Sequence, residues 1–397
     1  MPQKAGRQLL AINIALLAFT SASSLANLLV PLVGFQLQGS IAVAGAVISI
    51  GALTPLLFTF HIGSLVGSFG SRTVMIGAAV LLCLAPLPLL LSISIPALAV
   101  TAVLINMAHT LFAVAAQQAV ANLGAGTGSE RRFGWYSSFL AGGHMLGPFL
   151  GGFAIAAVGL EPSFALVPLI GTATVILCTR LAPAAKTSSP ATPLPRTPII
   201  QRLNSFLKLP GLRISLVVTA GVVAAQAVRQ TFLPIHMETH NLDARLIGIV
   251  LGARAFTSMV IRPALPLFSK VIGTRSRVFF AMMIVMAAGL AMTAFAVTLV
   301  PLLMAAVLVG ISSGVTQPLT MVAITDHVSK ERIGTALSLR LSINRVAQAS
   351  APLLFGIIGD TLGMEAAFIG AAALLLLALL PVARTAKTFE AAEQKLS

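Results

Sequence analysis

Five arginines, Arg229, Arg254, Arg262, Arg340 and Arg345, fall inside long apolar stretches of a chain whose ten carboxylates can all be placed in loops, helix ends or tails. A guanidinium at the middle of a membrane helix costs about 2.5–3.5 kcal/mol even on a lenient insertion scale, so each one needs a partner. Arg340, Asn344 and Gln348 recur every four residues, and Arg345 lies three before Gln348, which gives one helix a basic and polar face. With no carboxylate at equal depth, the partners open to these groups are water, backbone carbonyls or an anion from outside the chain. Arg262 escapes to the end of its stretch, whereas Arg254 lies well inside. Two readings stand: a site for an anionic or carboxylate-bearing molecule, and, for Arg340 and Arg345 above all, clamps on helix-end carbonyls. His109 and His144 are the other groups with chemistry to offer, because imidazole takes up and releases protons near neutral pH. Structural hydrogen bonding is the alternative role for both.

The elements that must position these groups are membrane helices. Of the 397 residues 57% are hydrophobic and 9% charged, with a mean hydropathy of +0.99. No soluble core of this size absorbs that composition without exposing large apolar patches. Twelve apolar stretches, each near the ~20 residues that cross a bilayer as helix, run over 9–33, 41–60, 73–94, 97–123, 133–158, 163–182, 213–235, 245–268, 277–298, 300–324, 334–358 and 364–384. The first, preceded by Lys4 and Arg7, also reads as a secretory leader, but its removal would leave eleven spans. The net charge of +15 invites a nucleic-acid partner, and its placement excludes one. Nineteen Lys and Arg residues fall on the side of the termini, one, Arg245, on the other, and five within spans. The positive-inside rule then puts both termini in the cytoplasm. Cys83 and Cys178 have neither disulfide-like nor metal-like spacing and read as packing residues.

The chain is written twice. Pro31 and Pro234, Gly45 and Gly248, Ala52 and Ala255, Gly70 and Gly273, and Arg72 and Arg275 are the same residues 203 positions apart. The expected fold is an all-α integral membrane protein: twelve transmembrane helices in two parallel pseudo-repeated six-helix bundles. The bundles span 1–182 and 213–397, the second with a short cytoplasmic tail. They are joined by a cytoplasmic linker, 183–212, rich in proline, serine and basic residues.

The loop after the second stretch, Gly63-Ser-Leu-Val-Gly67-Ser68-Phe-Gly70-Ser71-Arg72, resembles the signature loop of the major facilitator superfamily. Gly63, Gly70 and Arg72 match, while Gly67 and Ser68 stand where that pattern has Asp and Arg. In the second half Arg262-Pro263 to Gly273-Thr-Arg275 takes its place, with Lys270 at the acid's position. Gly143-His144-Met-Leu-Gly147-Pro148-Phe-Leu-Gly151-Gly152 resembles the fifth-helix signature of the superfamily's drug exporters at all five defining positions. Gly143, Gly147 and Gly151 form a stripe without side chains along which another helix can approach, and Pro148 bends the helix beside it. An ordinary small-residue packing face is the alternative. Glu130-Arg131-Arg132-Phe-Gly134 and Glu331-Arg332-Ile-Gly334 are also similar to the family and occupy equivalent places as helix-end anchors.

The resemblance implies that stretches 1, 4, 7 and 10 line a central cavity, and each carries polar residues at helical spacing. They are Asn13, Thr20, Ser24 and Asn27; Asn106, His109 and Gln117; Thr219, Gln226, Arg229 and Gln230; and Ser313, Gln317 and Thr320. The expected substrate-binding set is Asn27, Asn106, His109, Gln117, Gln226, Arg229, Arg254, Gln317, Arg340, Asn344 and Arg345. Gating falls to Gly63, Gly70, Arg72, Gly143, Gly147, Pro148, Gly151 and Gly152. Family exporters commonly carry protons on a membrane-buried acid; here none is found, so His109, near the place of a fourth-helix Arg, and His144 are the coupling candidates. The expected function is secondary transport of a small organic molecule by alternating access, as an exporter, with an anionic substrate. Uptake or exchange of an organic anion and a non-transporting sensor are the alternatives. An enzyme is excluded for want of a nucleophile, metal cluster or phosphate loop. No cofactor or metal is expected; the partners are substrate, lipid bilayer and protons, the protein is a monomer, and a bacterial inner membrane is its place.

Overall fold

The computed structural model describes residues 2–123, 129–182, 209–328 and 333–394. Among them no strand occurs. The first half contains α1 (Pro2–Gln38), α2 (Ile41–Phe69), α3 (Ser71–Leu84), the single turn α4 (Leu87–Leu91), α5 (Ile95–Ala121), α6 (Ser129–Val158) and α7 (Leu166–Thr179). The second contains α8 (Pro210–Thr239), α9 (Ala244–Ile261), α10 (Leu265–Ile272), α11 (Arg275–Phe295), α12 (Leu299–His327), α13 (Ile333–Leu362) and α14 (Met364–Gln394). Pro86 breaks the third crossing into α3 and α4, and a 3-10 turn at Arg262–Ala264 separates α9 from α10. Eleven of the helical segments are long and apolar enough to cross a bilayer. α2, 29 residues long, supplies the twelfth crossing. The expected linker, 183–212, lies outside the described residues up to 208, and α8 begins at Pro210, three residues before the expected seventh span. Glu331-Arg332 also lies outside the described residues.

The duplication seen in sequence is a duplication of packing. In the first half α1 packs on α5, α6 and α7, α2 on α5, and α3 on α5 and α7; in the second, α8 packs on α12, α13 and α14, α9 on α12, and α11 on α12 and α14. Each of these pairs of one half has its counterpart in the other. α1 and α8 are the most enclosed helices, so they stand at the centre of each bundle. Each half has its own apolar core. Glycines at two turns confirm the register. Gly70 and Gly273, 203 apart, both take a positive φ (82° and 96°) that L side chains rarely adopt. Each ends one crossing and opens the next.

The halves meet at the end of the bundle opposite the chain termini, hereafter the far end, through α6 against α9 and α2 against α13, with α1 touching α8 between them. Both seams are built from glycine. A Cβ on Gly45 would stand 2.2 Å from the Pro352 carbonyl oxygen, and one on Gly248 would stand 2.6 Å from that of Pro148. Likewise Gly356 abuts Ala42, and Gly152 abuts Ala244 and Gly248. Pro148 and Pro352, and Gly152 and Gly356, are 204 apart, so the two seams are one contact repeated around a two-fold axis. Ser40 and Asp243, again 203 apart, are the N-caps of α2 and α9: Ser40 Oγ accepts from the Val43 amide at 3.1 Å and Asp243 Oδ1 from the Arg245 amide at 2.7 Å. Asp360 of the second half adds to the first of these, its Oδ1 accepting from the Ile41 amide at 2.6 Å and its Oδ2 from the Ser40 hydroxyl at 2.5 Å. Gln36 donates to Glu238 at 2.5 Å between α1 and α8. At the terminal end, α5 and α12 form no comparable pairing.

Candidate substrate cavity

The stripe of α6 packs on α1. Cβ atoms added at Gly143, Gly147 and Gly151 would collide with Thr20, Ser21 and Ser24, and Leu28 respectively. This close approach lowers His144, one residue along from Gly143, onto α1, where its Nδ1 pairs with Ser24 Oγ at 2.8 Å. His109 of α5 pairs in the same way with Ser23 Oγ at 3.1 Å. The two imidazoles lie 6.1 Å apart between centroids, and Phe19 stacks on Phe112 at 3.9 Å beside them. The first half therefore contributes two histidines, two hydroxyls and an aromatic pair. It contributes no arginine.

The arginines all come from the second half, and the structure treats them differently. Arg340 is buried and held within its own half: Nε donates to Thr219 Oγ1 at 3.2 Å, and Nη2 to Thr320 Oγ1 at 3.1 Å and the Gln317 carbonyl at 3.2 Å. That arrangement is a clamp between α8, α12 and α13. Arg345 faces the other way. Its Nη2 donates to Thr110 Oγ1 of α5 at 3.3 Å, and its Nη1 to Gln348 Oε1 at 3.3 Å, so it spans the space between the halves. Arg254 is half-buried and donates to no described residue; its charge acts on both His144 and Arg229. Arg229 is 1% exposed, and none of its three guanidinium nitrogens has a partner among the described residues. Arg262, at the start of the 3-10 turn, has an unpartnered buried Nε.

The amides are less uniform. Asn27 and Asn106, half-buried, donate to carbonyls of their own helices, at Ser23 and Ala102. Gln317 donates to Gln226 Oε1 at 3.5 Å, linking α12 to α8. Asn344 keeps an unpartnered buried Oδ1. Gln117 is exposed, reaching the Tyr136 hydroxyl at 3.4 Å, well along α5 from His109. The geometry thus gathers Ser23, Ser24, His109, His144, Arg254 and Arg345 and sets Arg340 and Gln117 apart. Ser23 and Thr110 entered no sequence expectation; both lie within one residue of a polar position that did. Among the described residues every carboxylate sits near a helix end, so nothing acidic offsets the three cations nearest the histidines.

Away from the cavity, Arg72 Nη2 caps the C-terminal end of α7, donating to the Thr179 carbonyl at 2.5 Å. Its counterpart Arg275 pairs with Asp326 at 2.7 Å. Gly67, at the signature loop's missing acid, touches nothing within 4 Å of a built Cβ. Cys83 and Cys178 are both free thiols.

The fold is that of known transporters. A point mutant of the nucleoside transporter NupG superposes with a TM-score of 0.76 at 12% identity, covering 95% of this chain and 99% of its own. A bacterial homolog of the human lysosomal transporter Spinster, inward-facing and unoccupied, gives 0.76 at 13% identity, with 98% of each chain covered. The peptide transporter POT in complex with sulfate gives 0.74 at 14% identity, covering 95% of this chain and 94% of its own. No curated protein sequence matches the chain. The family model described as Major Facilitator Superfamily matches residues 12–275 and 217–395. With twelve apolar crossings in two repeated halves, the chain belongs to the Major Facilitator Superfamily and is a membrane transporter, not an enzyme.

Proposed function

We propose that this transporter exports a small organic anion by alternating access. The observation that carries the reading is the pairing of Arg254 and Arg345 with a space between the halves in which no described carboxylate offsets them. A guanidinium retained at such a cost is best explained by a negative charge that arrives with the substrate. Arg345 and Arg254 take the anionic group, and the His109 and His144 pair, hydrogen-bonded to Ser23 and Ser24, meets the rest of the molecule and carries the coupling proton. The glycine signature of α6 favours export. With both termini cytoplasmic, the closed far end faces outward and the cavity opens to the cytoplasm, where an exporter loads. The protein works as a monomer in a bacterial inner membrane, its halves, 1–182 and 213–397, rocking about the glycine seams.

The test is thermal stabilisation of the purified protein by a panel of organic anions and cations, with Arg254→Gln in parallel. Anions are expected to stabilise the wild type, and the variant to lose that response at least tenfold in affinity, about 1.4 kcal/mol. Stabilisation by lipophilic cations that survives Arg254→Gln refutes an anionic substrate. Flux of the stabilising compound into vesicles then separates transport from binding alone.

A further inference from the structure

Helix α8 carries a second feature, apart from the Arg254 and Arg345 pair. Gln226 and Arg229 are three residues apart and lie side by side on one face. Four of their nitrogens are buried without a partner among the described residues: Nε2 of Gln226, and Nε, Nη1 and Nη2 of Arg229. All four are donors. The amide oxygen of Gln226, the pair's one side-chain acceptor, receives a long hydrogen bond of 3.5 Å from Gln317 and keeps a second lone pair. The adjacent charge, Arg254, is also a donor. Burying donors without acceptors is costly, about 1–3 kcal/mol for each neutral group and more for a charged one.

The chemistry of the cluster limits what can satisfy it. A water molecule accepts hydrogen bonds but must place its own two protons, and beside these four donors the pair itself has one lone pair left, on Gln226 Oε1, to take them. An anion accepts only. At 1% exposure Arg229 is closed off from molecules of organic size in this conformation, whereas Arg254 and Arg345 are half open. Phe232, one turn farther along α8, stands 3.3 Å and 3.4 Å from where Cβ atoms on the seam glycines Gly45 and Gly356 would lie, so Arg229 sits just inside the closed far end.

We propose that Arg229 and Gln226 form an enclosed site for a small inorganic anion of halide size, distinct from the half-open Arg254 and Arg345 site. It neutralises the guanidinium while the far end is shut, and parting of the seam gives it a route to the far side. The site does not depend on the substrate being anionic, since its donors and enclosure are properties of α8 and its neighbours.

The probe is bromide, used with the full-length protein in detergent. Melting temperature is followed in sodium bromide against sodium gluconate at equal ionic strength, for the wild type, Arg229→Gln and Arg254→Gln. Bromide is expected to stabilise the wild type, its apparent Kd to rise at least tenfold in Arg229→Gln and by clearly less in Arg254→Gln, which removes a neighbouring charge but no donor of the site. Equal melting in the two salts, or a bromide response unchanged in Arg229→Gln, overturns the site. Should that variant fail to fold, anomalous diffraction from wild-type crystals grown in bromide decides: a peak at hydrogen-bonding distance from Arg229 supports the site, and none there refutes it. Competition between bromide and the organic anion would also overturn the separation, by making Arg229 part of the substrate site. Loss of organic-anion binding in Arg254→Gln while bromide still stabilises that variant more than gluconate keeps this proposal standing whatever becomes of the substrate assignment.

Discussion

Replacing Gly45 with alanine should force the far end open. The added Cβ would stand 2.2 Å from the Pro352 carbonyl oxygen, with Phe232 another 3.3 Å away. Ordinary contact needs at least 3.4 Å, so the α2 and α13 backbones must separate by about 1.2 Å. The obstacle is backbone on a proline-bent helix, not the tip of a flexible side chain, so it cannot swing aside. Overpacking of this kind costs about 1–3 kcal/mol. Because the strain exists only while the seam is closed, the ratio of far-end-closed to far-end-open molecules should fall roughly 5- to 150-fold. The assay is disulfide formation between Gln36→Cys and Glu238→Cys, whose native side chains meet at 2.5 Å, in a background without Cys83 and Cys178. Crosslinking should be fast with Gly45 intact and strongly slowed by Gly45→Ala. Gly67→Ala is the control: in the same helix, its Cβ meets nothing within 4 Å, so crosslinking should be unchanged. Equal crosslinking in Gly45→Ala and the control would mean that these glycines do not hold the closed state.

Three further outcomes follow from named contacts. Asp360→Asn removes the carboxylate from the N-terminus of α2 while keeping its shape, and should weaken the closed far end by about 0.5–2 kcal/mol. Slower crosslinking of the same cysteine pair is the readout, and an unchanged rate would remove the latch. Arg340→Gln should lower the melting temperature through loss of the bonds to Thr219, Thr320 and the Gln317 carbonyl, yet leave the ligand Kd within about twofold; a large loss of affinity with normal stability would return Arg340 to the binding site. The double variant His109→Gln and His144→Gln should abolish flux driven by a pH gradient while exchange without a gradient continues. Unaltered gradient-driven flux would dismiss the histidines as proton carriers.

The spans and the duplication were legible because both rest on local pattern: apolar length marks the crossings, and Gly70 and Gly273 mark turns that need a positive φ. That some helix would pack closely on the α6 stripe was legible for the same reason, in three glycines four residues apart; that the helix is α1 was not. The second seam was not. Its residues, Pro352 and Gly356, sit 204 rather than 203 positions from Pro148 and Gly152, and the α13 helix carries Ala347, Ala351 and Phe355 where α6 has glycines. Nor could sequence separate the arginines. Arg340 and Arg345 share a helix, but one finds threonines of its own half and the other reaches across to Thr110, a difference set entirely by which helices lie alongside. Asp360 read as a loop acid because nothing local shows that another half's helix starts beside it.

The two N-caps at the far end differ in what they lose when the halves part. α9 is held by Asp243, a residue of its own strand of chain, and separation leaves that bond untouched. α2 is held twice, by Ser40 from its own side and by Asp360 from across the interface. Opening therefore gives up a carboxylate without unwinding a turn, because the serine hydroxyl stays behind on the Val43 amide. Among the described residues only one of the two otherwise matched seams carries this fastening, so separation should begin between α6 and α9 and turn about the α2 and α13 side. A machine assembled from two copies of one unit would in this way open like a door, hung on one edge, instead of splitting evenly down the middle.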